Sequence, residues 1–263
     1  MNSLSKKDIR VNKNCVVDSF RSSRNTYAEN AIVQRRISQR LVDLLLTSNR
    51  CKYNSVLEVG CCTGLLTDFL CENCEIESLY LNDIVPEFCK LTTARPSLCQ
   101  VRDVLTLPGD IEHCSLPGEL DLIISSSTFQ WIDDLDALFE KFHRSLKEQG
   151  ILAFSLFGPG TMGEVRKITG KGLQYLSAKT LLQLVSKRFK IIVQEDKIDR
   201  LFLPSVRAVL RHIKDTGVGG LGGEKWSHSQ LRNFEKRYRE DFMTEQGIPV
   251  SYFSTTIIAK KEI

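Results

Sequence analysis

The residues whose types and spacing can do chemistry begin with Val56-Leu57-Glu58-Val59-Gly60-Cys61-Cys62-Thr63-Gly64. A β-favouring run enters a glycine turn and then a helical pattern from Leu65, so backbone N–H groups can face a ligand at the carboxyl edge of a sheet. A dinucleotide site prefers three glycines there and sets pyrophosphate on the helix N-terminus; here Cys62 stands in the middle glycine position. Glu58, at the end of the strand, would repel a pyrophosphate but suits a ligand carrying an amine or a sulfonium. That charge argues against NAD and towards S-adenosylmethionine.

Two further acids follow the same logic. Asp83 ends the second strand, where a ribose diol would be hydrogen-bonded. Asp103 follows a third extended segment and can accept from an adenine amino group, with Val104 beside it and Ser126 after the next strand completing the candidate cofactor set. Solvated loop carboxylates or helix caps are the plainer alternatives for both acids.

Elements must position these groups. Apolar residues recur at helical spacing over 27–46, 65–70, 87–91 and 135–146, while 55–59, 79–83, 120–125 and 151–157 are strand-like and 98–101 is extended. Strand alternating with helix at this spacing implies βαβ units and a mostly parallel sheet. Further on, helices are expected at 179–187, 205–216 and 227–242 and strands at 189–193 and 252–259. Gly217, Gly219, Gly220, Gly222 and Gly223 form a flexible stretch that can serve as a lid or as an exposed connector.

The 263 residues are 42% hydrophobic and 26% charged with a net charge of +4, which excludes a disordered chain and fits one large domain or two small ones. The continuous alternation favours a single domain over 1–263, with an N-terminal helical cap (1–50), a cofactor-binding core (51–157), and an acceptor region with the last strands (158–263). No apolar stretch approaches membrane-spanning length and the first 17 residues lack a signal peptide's apolar centre. The charge is too small to argue for nucleic acid, although basic residues cluster after about residue 166. Nine cysteines, all in the first half, are expected to be free thiols in a reducing cytoplasm. Cys71 and Cys74 have metal-ligand spacing without a partner motif, so no metal is expected.

The segment Glu58-Val59-Gly60-Cys61-Cys62-Thr63-Gly64 resembles the first motif of the class I S-adenosylmethionine-dependent methyltransferases, with Cys62 as a departure. Further pieces are similar to the malonyl-acyl-carrier-protein O-methyltransferases of biotin synthesis. They are Ser19-Phe20, Thr26-Tyr27, Ala31-Ile32-Val33-Gln34, Ser126, Gln130-Trp131, the run Phe154-Ser155-Leu156-Phe157-Gly158-Pro159-Gly160-Thr161 with Glu164, and Leu210-Arg211-His212-Ile213-Lys214 with Thr216-Gly217. The resemblance implies a Rossmann-like α/β fold of seven strands, mostly parallel with the last antiparallel, helices on both faces and a small helical cap. It implies methyl transfer from S-adenosylmethionine, released as S-adenosylhomocysteine, to the free carboxylate of a malonyl group carried on the phosphopantetheine of an acyl carrier protein. The product ester hides a charge and lets fatty-acid enzymes elongate the chain towards pimelate.

A carboxylate needs no general base, so the enzyme must orient it and exclude water. One cation with a hydroxyl donor is the expected holder. Tyr27 can donate or cover the cofactor, or simply pack; Trp131 can wall the pocket, with Gln130 beside it, or be a core aromatic. Gly158, Gly160 and Thr161 follow the fifth strand and allow close approach of a substrate chain, or form an ordinary turn. Arg207, Arg211 and Lys214 share one helix face, which suits an acidic carrier protein or plain solvent, and Arg211 is the candidate catalytic residue among them. The alternatives are a quinone precursor or other small acceptor, and a non-catalytic protein with the same fold.

Overall fold

The apolar runs in the first half are buried on both faces, as strands inside a parallel sheet must be. The computed structural model describes residues 12–47, 51–217 and 226–262. From the N-terminus come α1 (Lys13–Ser23), α2 (Tyr27–Asn30) and α3 (Ile32–Leu46), then β1 (Lys52–Val59), α4 (Leu65–Asn73), β2 (Glu75–Asp83), α5 (Pro86–Thr92), β3 (Asp103–Pro108), β4 (Leu120–Ser126), α6 (Leu135–Ser145) and β5 (Leu146–Phe157). The second half adds α7 (Gly163–Thr169), α8 (Ala178–Val185), β6 (Phe189–Leu203), α9 (Val206–Asp215), α10 (His228–Phe242) and β7 (Ile248–Lys261). One seven-stranded sheet has the order β3-β2-β1-β4-β5-β7-β6, and β7 alone runs antiparallel, between β5 and β6.

Alternate side chains of each strand feed two cores. Val56, Leu122, Ile124 and Ala153 pack against α3 and α4 on one face. Leu57, Ile123, Leu152 and Phe154 pack against α6 and α8 on the other. A third core joins Val33 and Ile37 of α3 to Val206 and Val209 of α9, Phe234 and Tyr238 of α10, and Val250 and Tyr252 of β7. His212 fixes α9 to β7 through a buried 2.8 Å hydrogen bond with the Tyr252 hydroxyl. Burial pushes its imidazole below the ordinary histidine range, so the pair is neutral near pH 7.

The elements differ from the sequence expectation where tertiary context outweighs the local apolar pattern. The helix expected over 27–46 breaks at Ala31, whose ψ of 50° leaves helical geometry. Residues 98–100 belong to a 3-10 turn, Pro96–Gln100, that Val101 ends, and the third strand follows it. That strand is an edge strand with mostly exposed side chains, so it carries no apolar run. α1 is likewise nearly silent in sequence, burying only Val16 and Ser23. Gly219, Gly220, Gly222 and Gly223 lie outside the described residues. Among those described, no helix is long and apolar enough to cross a membrane, and no group of three or more His, Cys, Asp or Glu is placed to hold a metal. The nine cysteines are free.

Because strands β1 to β4 are parallel, their carboxyl ends share one edge, and the loop after β4 is anchored there by an aromatic stack. Phe129 sits with its ring centroid 5.1 Å from Phe154 and 5.8 Å from Phe142, and is fully buried. Phe129→Ala is expected to cost about 3–5 kcal/mol in denaturant unfolding and, in the fraction that stays folded, to loosen the loop that follows β4; a loss below about 1 kcal/mol would show the stack is not the anchor.

Candidate active site

At that edge the loops after β1, β2, β3 and β4 surround one cavity. Its walls are Val59, Gly60 and Cys62; Asn82, Asp83 and Ile84; Gly109, Asp110 and Ile111; and Ser126, Ser127, Thr128 and Trp131. Lys13, Val16 and Phe20 of α1, with Tyr27 of α2, form its remaining side. This is the position where open α/β sheets bind ligands.

The β1 loop is built by two special backbone positions. Gly60 has φ +77° and a Cβ there would overlap the Thr128 hydroxyl, so only glycine lets the β1 and β4 loops touch. Cys62 holds φ +47° without being glycine, a strained conformation. Gly64, at φ +86°, begins α4 against the Arg95 side chain and does not reach the cavity. The loop amides are not free to cradle a phosphate. Those of Gly60 and Cys61 donate to the Asn82 carbonyl at 2.8 and 2.9 Å, and that of Cys62 donates to Asp83 Oδ2 at 2.9 Å. Donors spent on the protein itself disfavour a pyrophosphate.

Charge points the same way. Asp83 lines the cavity, its two oxygens accepting from Cys62 and Val85 amides at 2.9 and 2.8 Å. Burial pushes its carboxyl up to about 6, with those amides pulling it back. A carboxylate has lone pairs left for two ligand hydroxyls. Glu58 lies wholly buried behind the loop and does not line the cavity; Oε2 accepts from Thr67 Oγ1 at 2.7 Å, and Oε1 has no partner. Burial pushes it up to about 8, opposed by the Thr67 hydrogen bond and reinforced by Asp68 and Asp83. Glu58 is therefore uncharged near neutral pH and walled off, and does not supply the charge expected of it at the cofactor site; Asp83, the acid that reaches the cavity, favours a ligand that brings hydroxyl donors or positive charge. An adenosyl ligand fits those donors and the apolar walls Ile84, Phe88 and Ile111.

Asp103 and Val104 do not join this cavity. They begin β3, pairing with Ser78 and Leu79, at the end of the strand away from the cavity, and Asp103 is half exposed beside Arg102. The third acid at the carboxyl edge is Asp110, after the Pro108-Gly109 turn that ends the true strand. The strand expected at 98–101 lies at 103–108, which moves the acid at the carboxyl edge from Asp103 to Asp110. Lys13 was also missed. It pairs with Asp110 and Glu112 and thereby ties α1 over the cavity.

At the β4 side of the cavity Ser126, expected among the cofactor residues, lines the wall and accepts from Ser38 and Ser155 hydroxyls at 3.0 and 3.1 Å. Tyr27 and Trp131 line the cavity, each stacked on Phe20, at 6.2 and 5.9 Å between centroids. Burial pushes the Tyr27 phenol and the Cys62 thiol beside it well above their ordinary ranges, so neither is an anionic base or nucleophile near neutrality. Gln130 lies outside this cavity and donates to the Ser127 carbonyl at 2.6 Å. Gly158 and Thr161 are clipped to β7: the Gly158 amide donates to Phe253 O at 2.8 Å, and Thr161 Oγ1 exchanges hydrogen bonds with the Phe253 main chain at 3.0 Å. Gly160 turns between them at φ +101°, and none of the three lines the cavity. Arg207, Arg211 and Lys214 are exposed on α9, outside the cavity, and Arg207 pairs with Glu235 of α10. The end of α9 abuts the roof, since Thr26 Oγ1 donates to Asp215 O at 3.0 Å.

Two measurements test this geometry. A ligand donating hydroxyls to Asp83 favours its ionised form, so affinity for S-adenosylhomocysteine should fall as pH drops below about 6, by up to about tenfold per unit. Asp83→Asn should flatten that profile in calorimetry; a flat wild-type profile contradicts the assignment. Lys13→Met should speed ligand dissociation roughly two- to fivefold in stopped flow, the scale of a partly exposed ion pair, and an unchanged rate would show α1 is not a tether.

A family profile described as a methyltransferase domain matches residues 57–154. The chain is 35% identical over 242 residues to the malonyl-[acyl-carrier protein] O-methyltransferase of Chlorobium phaeovibrioides, covering 91% of this chain and 93% of the relative. Against the protein of the same name from Bacteroides thetaiotaomicron it is 33% identical, covering 96% and 99%. Among solved structures, the YcgJ protein of Bacillus subtilis has a TM-score of 0.58 at 14% identity, covering 85% of this chain and 99% of that one. The N-methyltransferase NodS of Bradyrhizobium japonicum, in complex with S-adenosylhomocysteine, has a TM-score of 0.51 at 14% identity, covering 90% and 98%. Those structures carry the fold, a class I methyltransferase sheet. With identity above 30% across nearly the full length of both partners, the chain belongs to the malonyl-[acyl-carrier protein] O-methyltransferase family.

Proposed function

We propose that the protein methylates the free carboxylate of malonyl-acyl carrier protein with S-adenosylmethionine, giving the methyl ester and S-adenosylhomocysteine, and so primes pimeloyl chain synthesis for biotin. The observation that supports it is one cavity joining an acid placed for a ribose diol, Asp83, to an aromatic, hydroxyl-lined acceptor end at Ser126 to Trp131. The relatives' shared name supplies the acceptor. The cofactor, when bound, supplies a methyl group on a sulfonium. A carboxylate oxygen of the substrate attacks the methyl carbon; the C–O bond forms as the C–S bond breaks, the electron pair stays on sulfur, and no proton moves.

The chain's own residues therefore need no general base. Asp83 holds the ribose end, Gly60 lets the two loops close, and Phe20, Tyr27 and Trp131 keep water from the reacting atoms. The exposed cations Arg211 and Lys214 stand on the helix that abuts the roof, a face suited to an acidic carrier protein. We place the protein in the cytoplasm, where nine free thiols would persist.

Incubation with methyl-labelled cofactor and, in parallel, malonyl-acyl carrier protein, malonyl-coenzyme A and a quinone precursor tests the acceptor. Label in a base-labile ester on the carrier protein is expected; label on the quinone precursor alone overturns the reading. Arg211→Ala should raise KM for the carrier-linked substrate about five- to tenfold, as loss of an interface cation does, and barely alter that for malonyl-coenzyme A. Equal loss on both substrates would contradict a docking role.

A further inference from the structure

Resting on that acceptor, we propose that its carboxylate is held by uncharged donors, the indole N–H of Trp131 and the hydroxyl of Ser127, and not by a cationic side chain. Trp131 Nε1 and Ser127 Oγ are both buried without a hydrogen-bond partner, and both residues line the cavity. Native structures rarely strand a buried donor, because losing water without gaining a partner is costly. Two stranded donors in the wall of a ligand cavity point to a ligand acceptor.

Their supports are already in place. Ser127 holds φ +55°, a conformation unusual for a residue with a side chain. The scaffold enforces it from both sides: the Ser127 amide donates to Ser155 O at 2.8 Å, and its carbonyl accepts from Gln130 Nε2 at 2.6 Å. Strain maintained in this way is characteristic of functional positions. The Trp131 ring stands edge-on to Phe20, and its amide donates to Thr128 O at 3.0 Å.

Ser38 of α3 meets Ser126 of the cavity wall at 3.0 Å, and α2, leading into α3, carries Tyr27. Among the described residues the one cation in the wall is Lys13, already engaged by Asp110 and Glu112.

Physical chemistry favours such a set. The carboxylate loses its charge as its oxygen takes the methyl group. A guanidinium paired with it would stabilise the charged reactant most and be left buried and unpaired beside a neutral ester. Uncharged donors fix the oxygen's direction while leaving its nucleophilicity, and the dry, aromatic surroundings favour a step in which opposite charges cancel.

The test uses Trp131→Phe, which keeps the ring, and Ser127→Gly, which relieves the strain and removes the hydroxyl. The readouts are the calorimetric affinity of malonyl-coenzyme A for protein saturated with S-adenosylhomocysteine, the affinity for S-adenosylhomocysteine itself, and KM against kcat. For Trp131→Phe the acceptor Kd and KM should rise about tenfold or more, as expected for one hydrogen bond to a charged group, with cofactor affinity within about twofold. Ser127→Gly should shift the same two quantities in the same direction. An unchanged acceptor Kd in both variants, or parallel loss of cofactor affinity showing a merely structural role, overturns the proposal. If the wild type neither binds nor esterifies the malonyl thioester, the acceptor reading falls and this proposal with it; wild-type binding with unaltered variants sinks the proposal alone.

Discussion

The site depends on the contact between Gly60 and Thr128. Two neighbouring parallel strands, β1 and β4, end at the same edge, and their loops can close on each other only because position 60 has no Cβ. That contact sets the β1 loop with Cys62 against the β4 loop with Ser127 and Trp131, and so joins both loops in the wall of one cavity. The remaining elements hold this junction. Phe129 pins the β4 loop to the core, Asn82 takes up the β1 loop amides, and α1 lies across the opening through Lys13.

Electrostatics then select what enters. Loop amides satisfied by Asn82 and Asp83 offer little to a phosphate. Asp83, raised by burial and open to the cavity, is relieved by positive charge and hydroxyl donors. A cofactor with a sulfonium meets both conditions, and a carboxylate acceptor answers its charge. The same chemistry explains why a buried thiol at Cys62 and a buried phenol at Tyr27 are tolerated: neither has to ionise.

Much of this was legible in the residues. Glu58, Gly60, Cys62 and Asp83 mark the β1 loop and the end of β2 because strand, turn and helix there carry strong local signals, and the mostly parallel sheet follows from the alternation. The third strand was not legible, since an edge strand with exposed side chains has no apolar run, and its misplacement moved the third acid from Asp110 to Asp103. α1 escaped notice because it buries little, yet it supplies Lys13 and Phe20 to the cavity. Gly158, Gly160 and Thr161 read as a place for substrate, but their close approach is to Phe253 of β7, a partner nearly a hundred residues away that no local pattern announces. The spacing of Arg207, Arg211 and Lys214 gives a shared exposed face of α9, and the packing that keeps this face out of the cavity has no local signal in the sequence.

Direct transfer within this cavity, with no methylated enzyme group on the way, is the central claim, and the stereochemistry at the methyl carbon tests it. With S-adenosylmethionine whose methyl carbon carries hydrogen, deuterium and tritium in one configuration, a single displacement by the malonyl carboxylate inverts that carbon in the ester. Inversion is the result expected here; retention would mean two successive transfers through a protein nucleophile such as Cys62 and would contradict it.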